Sequence, residues 1–530
     1  MGIYLNPGNE NFKEVILNGK YVDKTMMIAY INKYIDIWDN CVCISRPRGF
    51  GKTIAANALS AYYSKGCDSR ELFAPLKIAS DPDFNDPKGR RNSQNVIKID
   101  MESEYQSVFE KKNLMRNLTS EIISELRISF PNVVIRDEDT LAWAILKVYT
   151  ATGATFIVII DNYDVLVREK ADKELFDEYL SFLNGLFKSD TVRPAISLAY
   201  LTGILPMFRD KNQSGLNNFD EYTILDAYTL SEYIGFTSDE VKLLCDVNGM
   251  NFEECKRWYD GYHQNGYEIY NPESVIKAMA NKRFGSYWGK TSTYEAIAER
   301  IRQNFKGTKD DVIKMLAGES VPVNVTRYMN TMDSFSTRSD LFMYLIHLGY
   351  LAYNYEDQTC RIPNWEVRQE WYNAIEDNED YDETNRIIKN SRQLLEDTIA
   401  GDEEAVARAL DTTHIHVTSN RSYNNEDALQ SAVYLAYIYA LNEYTVIKEL
   451  TTGKGFADMV YIPAKNCKVK HPAMIIELKK NKCVESAIDQ IKKKEYFDGL
   501  SKYQGDLLFV GINYDETEKT HTCKIERFVK

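Results

Sequence analysis

The chain has 530 residues, 44% hydrophobic and 27% charged, with 36 Tyr and only 13 Pro. That length suits three or four domains with proper cores, and the composition excludes a low-complexity or fibrous chain. A formal charge of −14 excludes a protein that simply coats nucleic acid, so any such contact is local.

Nine cysteines are scattered without a Cys-x2-Cys spacing, which fits a reducing compartment. No basic-then-apolar leader opens the sequence at Met1-Gly2-Ile3-Tyr4. No apolar run approaches the roughly 18 residues of a membrane span. The expected location is cytoplasmic, with no membrane contact.

In chain order, Tyr21-Val22-Asp23-Lys24-Thr25 comes first, before an amphipathic stretch at 26–38. Thr25 reads as the helix cap, leaving Asp23 and Lys24 as surface polar residues. The apolar run Cys41-Val42-Cys43-Ile44 then predicts a buried strand, with both cysteines as core. Arg46-Pro47-Arg48-Gly49-Phe50-Gly51-Lys52-Thr53 follows it, and an Ala-rich helical pattern follows that. Strand, glycine-containing loop, Gly-Lys-Thr and helix are the context of a phosphate-binding P-loop. Backbone N–H groups of Arg48, Gly49, Phe50 and Gly51 turn toward an anion at a helix N-terminus. Lys52 reaches the β- and γ-phosphates of ATP, and the Thr53 hydroxyl ligates Mg²⁺. Arg46 stands where the usual first glycine would be.

Residues 66–95 read as loop, Asn95 to Asp100 as a strand and 110–128 as a helix. Thr155-Phe156-Ile157-Val158-Ile159-Ile160-Asp161 is apolar enough for a central parallel strand buried on both faces. It ends in a carboxylate where ligands collect in open α/β sheets. Asp161 is therefore expected in the Mg²⁺ shell. Asn162 holds the next position and cannot take a proton from the attacking water. Asp164 is the substitute, or turnover is slow. A third strand, 195–201, ends at Thr202, a candidate γ-phosphate sensor or the start of a turn. Arg193 and Arg209 are the arginines available to complete the site across subunits of a homo-oligomer.

Further on, Thr237 with Glu240 predicts a capping box. The aromatics of Trp258-Tyr259-Asp260-Gly261-Tyr262 read as core rather than base-stacking groups. Residues 338–367 suggest a helix plus hairpin of winged-helix type. Six acids in the eight residues 376–383 suggest a solvated linker.

After helical stretches at 384–411 and 425–442, the pattern turns to strands at 444–450, 456–463 and 473–480. A helix from Val484 to about Tyr496 follows them. Alternation puts Glu477 and Lys479 on one face, and such a pair is costly to bury unless it works together or binds an ion. If Asp458 on the adjoining strand faces that pair, Asp458, Glu477 and the Leu478 carbonyl are the expected oxygen donors for Mg²⁺, or for Mn²⁺. The alternative for Glu477 and Lys479 is a salt-bridged sheet edge. Lys479 would orient the attacking water. Glu426 opens the preceding helix as a further carboxylate, and Gln490 lies on the helix after the Glu-x-Lys strand. Residues 465–530 carry 14 Lys and Arg against 10 Asp and Glu, a local basic surface of the kind phosphate contacts need.

These stretches together resemble bacterial proteins that join an N-terminal AAA-ATPase-like domain to a C-terminal PD-(D/E)XK nuclease-superfamily domain. The likeness runs through Tyr21-Val22-Asp23-Lys24-Thr25, Arg46-Pro47-Arg48 before Phe50-Gly51-Lys52-Thr53, and Asp161 with Tyr163-Asp164. It continues through Ser214-Gly215-Leu216-Asn217-Asn218, Trp258-Tyr259-Asp260-Gly261-Tyr262 and Tyr270-Asn271-Pro272. In the last domain it covers Gly455-Phe456-Ala457-Asp458, Ile476-Glu477-Leu478-Lys479 and Gln490-Ile491 with Tyr496. The resemblance accounts for Arg46 and implies an α/β multidomain fold. Residues 1–230 would form a P-loop α/β/α ATPase domain and 231–375 a helical lid with a winged-helix-like region. Residues 376–383 would be the acidic linker and 384–530 a restriction-endonuclease-like α/β domain. It implies nucleotide binding and metal-dependent phosphodiester cleavage; the leading expectation is an ATP-regulated nuclease that cuts nucleic acid, DNA in first place. The alternative is a nucleotide-dependent switch or scaffold that holds nucleic acid or a protein partner without cutting.

Overall fold

The computed structural model describes residues 2–207, 216–288, 297–298, 301, 305–316, 318–325, 337–376, 381–417, 426–452, 455–463, 471–494, 503 and 505–528. The chain packs as two compact units. One is Met1–Ile297 with Pro322–Glu370, the other Ala298–Val321 with Trp371–Lys530.

The first unit is built on a five-stranded parallel sheet. Its strands are β1 (Cys41–Ser45), β2 (Asn95–Asp100), β3 (Phe156–Asp161), β4 (Ile196–Gly203) and β5 (Asp220–Tyr222), in the order β2-β3-β4-β1-β5. Every residue of β1, β3 and β4 is buried, as strands covered on both faces must be. Helix α1 (Lys52–Tyr63) packs on β2, β3 and β4. Phe156, Val158 and Ile160 turn into one cluster with residues of α2 (Leu114–Ser129), α3 (Leu141–Thr152) and α4 (Lys173–Phe187). Each buried branched side chain there contributes roughly 1.5–3 kcal/mol. Asp161 at the end of β3 pairs in register with Asp100 of β2 and Thr202 of β4, so three polar residues share the carboxyl edge of the sheet.

Two local expectations change. Thr25 makes no side-chain cap; instead Asp23 accepts hydrogen bonds from the Thr25 amide (2.9 Å) and hydroxyl (2.6 Å) and from the Lys77 amide (2.6 Å). Lys24 is no surface residue either, since its ammonium pairs with Glu240 at 2.6 Å. The loop at 66–95 contains three short helical turns, Arg70–Phe73, Lys77–Ser80 and Pro82–Asn85.

Beyond the sheet, α5 (Ser238–Asn248) starts with the expected Thr237–Glu240 capping box and ends at Gly249 in the left-handed region. Helix α6 (Phe252–Tyr259) runs into an antiparallel hairpin, Tyr262–Gln264 with Tyr267–Tyr270, and then α7 (Pro272–Asn281). Tyr259, Tyr262 and Tyr270 are buried core residues. A helix at Arg338–Leu348 and a hairpin of Ala352–Asn354 with Thr359–Arg361 occupy the helix-plus-hairpin region.

Glu366 is buried there and accepts hydrogen bonds from the Tyr287 (2.6 Å) and Trp288 (2.9 Å) amides. Burial raises its pKa to about 7, against the pull of those amides and of the Ser274 hydroxyl. A carboxyl whose pKa rises on folding stabilises the fold fully below its unfolded value. That contribution is lost as pH rises through the folded value. Glu366→Gln keeps the acceptor without the charge. It is expected to gain stability over wild type as pH rises from 5 to 8, by an amount on the order of 3 kcal/mol. Denaturant unfolding at a series of pH values checks this, and a pH-independent difference counts against it.

In the second unit, α8 (Asp382–Ala400) and α9 (Glu403–Val417) replace one expected helical stretch. They are separated at Gly401, whose φ of 82° ends the first helix. Asp382 is helical rather than part of a linker, and residues 377–380 lie outside the described residues. Helix α10 (Glu426–Ala436) precedes a five-stranded mixed sheet in sequential order. Its strands are β6 (Tyr444–Thr452), β7 (Gly455–Pro463), β8 (Ala473–Lys480), β9 (Leu507–Asp515) and β10 (Thr520–Phe528). Only β8 and β9 run parallel, and α11 (Glu485–Lys493) joins them. The strands β9 and β10 lie beyond the three expected. Gly511 lets α11 approach β9, because a Cβ there would stand 3.0 Å from the Ala487 Cβ. Among the described residues, no helix is long and apolar enough to cross a membrane, and the described cysteines are free thiols.

Candidate functional site

The loop between β1 and α1 needs its two glycines. Gly49 and Gly51 adopt φ of 78° and 88°, the left-handed region that favours glycine. A Cβ on Gly49 would lie 2.7 Å from the Asn271 Oδ1, whereas one on Gly51 would meet nothing within 4 Å. Gly49 thus admits a neighbour, and Gly51 borders open space. That space is a cavity of about 580 Å³ lined by Arg48 to Ala55, Glu102, Asn162, Ile204 and apolar residues including Val22, Ile28, Phe236 and Ile276. Its size and mixed lining are those of a small-ligand pocket.

Lys52 is buried, and its ammonium donates to the Arg46 and Pro47 carbonyls, both at 2.8 Å. Burial lowers its pKa, with Asp164 and Asp161 pulling the other way. Asp161 shifts up, chiefly through burial, while the Thr53 hydroxyl bonds its carboxylate. Its Oδ2 is buried with no hydrogen-bond partner among the described residues. An unpaired buried carboxylate oxygen is costly, and beside Thr53 it fits a divalent cation. Arg46 is wholly buried and donates to the Ser45 and Tyr222 carbonyls at 2.8 Å. Burial lowers its pKa to about 9. In place of a glycine, it ties the loop to the end of β5. Phe50 packs edge-on against Tyr262, with ring centroids 5.4 Å apart.

Asp164 is fully buried. It accepts from the Ile204 (3.0 Å) and Leu205 (2.8 Å) amides and pairs with Arg168 at 3.3 Å. It shapes the loop after β4 and does not line the cavity. Thr202 is buried at the strand tip, its hydroxyl unpartnered among the described residues. Asn162, at φ of 54°, donates to Asp100 Oδ1 at 3.1 Å. Arg193 lies just before β4 with its guanidinium 3.5 Å from the Trp38 ring centre. Arg209 lies outside the described residues.

Asn271 carries no chemical site signal in the sequence. It caps α7 by accepting from the Glu273 amide (2.9 Å) and donates to the Arg48 carbonyl at 3.1 Å, while the Glu273 amide also donates to the Gly49 carbonyl at 3.2 Å. The Asn-Pro pair is a readable helix start, but its bond to a loop 223 residues away has no sequence signal. Asn271→Ala loses a cap worth about 1 kcal/mol and frees the loop. It is expected to lower Tm by several degrees and weaken ATP binding several-fold in calorimetry. Unchanged affinity would show that the tie is idle.

In the second unit, Glu477 and Lys479 sit on one face of β8, as alternation predicts, with Lys479 Nζ 2.7 Å from Glu477 Oε1. Gln490 of α11 donates to the same oxygen. Glu477 is 2% exposed, and its Oε2 has no partner among the described residues. Burial and the Asp458 carboxylate hold its pKa up at about 7, against Lys479. Asp458 lies one step beyond the last β7–β8 pair, Met459 with Ile476, and its Oδ2 accepts from the Leu478 amide at 2.7 Å. Leu478 pairs with Ile512 in the ladder with β9. Gln430, also unexpected, donates to the Asp458 carbonyl at 3.0 Å. Glu426 is the first residue of the same helix, one turn before Gln430. Among the described residues no cluster of three or more His, Cys, Asp or Glu forms a metal site. The two carboxylates with the unpaired Oε2 are the donors that fit an ion. Tyr496 lies outside the described residues.

Comparison with known proteins matches a segment of each unit. Residues 7–211 match the family described as predicted AAA-ATPase, and residues 424–524 match the PD-(D/E)XK nuclease superfamily. A protein described as uncharacterized, in the vnfD 5′ region of Azotobacter chroococcum mcd 1, is 24% identical over 269 residues. That match covers 49% of this chain and 49% of the relative, so the chain spans about half the relative's length. Among solved structures, the ORC2 protein of Aeropyrum pernix (ADPNP–ADP complexes) aligns with 69% of this chain and 93% of its own, at 10% identity and a TM-score of 0.27. The chain thus carries a segment that matches the predicted AAA-ATPase family ahead of a C-terminal segment that matches the PD-(D/E)XK nuclease superfamily, the architecture its motifs resemble.

Proposed function

We propose that this protein binds and hydrolyses ATP with Mg²⁺ at the P-loop, and that its C-terminal domain cuts nucleic acid, DNA in first place, under control of the bound nucleotide. Arg48 to Thr53 and Asp161 hold the triphosphate and its cation, and the apolar end of the cavity takes the base. Asp458, Glu477 and the Leu478 carbonyl, with Glu426, hold a divalent cation at the second site. Bound there, the cation lowers the pKa of a water and stabilises charge on the phosphate. Lys479 orients that water, and Gln490 keeps Glu477 in place.

The observation that carries the nuclease half is the buried Glu477, one oxygen of which has no partner among the described residues, flanked by Asp458, Lys479 and Gln490. Buried carboxylates left half-satisfied are costly, and a metal role gives the arrangement its reason. The test measures ADP release and plasmid nicking by one preparation, with Mg²⁺ and with Mn²⁺. Nicking that needs the metal supports the proposal, and metal-independent or absent nicking refutes the nuclease half. A second reading, a switch that binds ATP without turning it over and holds nucleic acid uncut, draws on Asn162. In that case ATP binds while neither ADP nor nicked plasmid appears.

A further inference from the structure

With Asn162 unable to take a proton, hydrolysis needs a base from elsewhere in the site. Four carboxylates stand at or just beyond the carboxyl ends of β2 and β3. Asp161 lies against the Thr53 hydroxyl, where the cation belongs. Asp164 is fully buried and outside the cavity lining; its Oδ2 is taken by two backbone amides and Arg168, and its Oδ1 has no partner among the described residues. Asp100 caps the helix after β2. Its oxygens accept from the Glu102 amide (3.2 Å), the Ser103 hydroxyl (2.7 Å) and the Asn162 side chain (3.1 Å). Glu102 differs from all three. It lines the cavity together with Asn162, Gly51, Lys52 and Thr53, and its side chain keeps 32% exposure. The register of Asp100 with Asp161 sets Glu102 beside the turn at Asn162. Arg168, itself 7% exposed, approaches Glu102 Oε2 at 3.4 Å and so fixes where the carboxylate points. Glu273, the other carboxylate lining the cavity, belongs to α7 and is paired with Lys277 at 2.6 Å.

We propose that Glu102, supplied by the strand next to β3 rather than by β3 itself, is the general base of ATP hydrolysis. The inference rests on the P-loop reading above. Glu102 takes a proton from the attacking water as the water oxygen bonds the γ-phosphorus. The bond between that phosphorus and the β–γ bridging oxygen breaks, and its electron pair stays on ADP. Inorganic phosphate leaves, and the proton passes from Glu102 to solvent. Asn162, oriented by Asp100, can hold the water without competing for the proton, and Arg168 keeps Glu102 aimed.

Full-length wild type, Glu102→Gln and Glu102→Asp are compared for ATP binding by a fluorescent analogue and for ADP release, both with Mg²⁺. Glu102→Gln is expected to bind within about threefold of wild type and release ADP at least about 100-fold more slowly, the usual share of a general base. Glu102→Asp, with charge kept and reach shortened, is expected to fall between, and it decides the matter if the Gln variant does not fold. Turnover by Glu102→Gln within about threefold of wild type overturns the proposal. So does a wild type that binds ATP without releasing ADP. A wild type that binds no ATP defeats the P-loop reading itself, and Glu102 with it.

Discussion

Lys52→Ala is expected to weaken ATP binding by about 100-fold or more and to abolish ADP release. The Lys52 ammonium is held by two loop carbonyls in a buried site that depresses its pKa. Asp164 and Asp161 compensate this cation in part, and on the reading proposed above a triphosphate supplies the rest when nucleotide is bound. Removing it takes away that phosphate contact and also leaves the Arg46 and Pro47 carbonyls without their donor, so stability without nucleotide should fall as well. The checking measurement is thermal unfolding with and without Mg²⁺-ATP. At 100 times Kd, a ligand stabilises by about 2.7 kcal/mol, so wild type shifts upward and Lys52→Ala does not. An equal shift in both would separate Lys52 from the nucleotide.

Glu477→Ala should remove cleavage by about 100-fold or more. Its carboxylate joins Lys479, Gln490 and the approach to Asp458. With it gone, the cation proposed above would lose one of its two carboxylates, and Lys479 loses the group it pairs with. Removing it also leaves the buried Lys479 ammonium without its ion-pair partner, a loss that lowers stability. Glu477→Gln keeps shape and hydrogen bonding and should be nearly as inactive, since a neutral amide is a poor ligand for a hard cation.

Much of both sites is legible in the sequence because strand β3 and strand β8 are apolar runs that end in, or carry, a carboxylate. A fully buried strand cannot vary much in composition, so Phe156 to Asp161 and Ala473 to Lys480 announce themselves. The alternation that joins Glu477 to Lys479 is a property of the backbone alone. Contacts between residues far apart in sequence leave no such trace. Asn271 reaches the P-loop across the fold, and Gln430 of α10 reaches the Asp458 carbonyl on β7. Glu102 sits in no motif, being one acid among several after β2. It stands out only when the cavity shows which carboxylates are already engaged. Arg46 illustrates the opposite case. It looks like a defect in a glycine motif until its guanidinium is seen to tie the loop to the Tyr222 carbonyl.

The central claim is that one chain couples a nucleotide cavity to a metal-dependent cutting site. The most direct test is the rate of supercoiled plasmid nicking by wild type and Glu477→Ala, each with Mg²⁺ and with or without ATP. The account predicts nicking by wild type that changes with ATP and is lost in Glu477→Ala under every condition. Nicking by Glu477→Ala at the wild-type rate would contradict it.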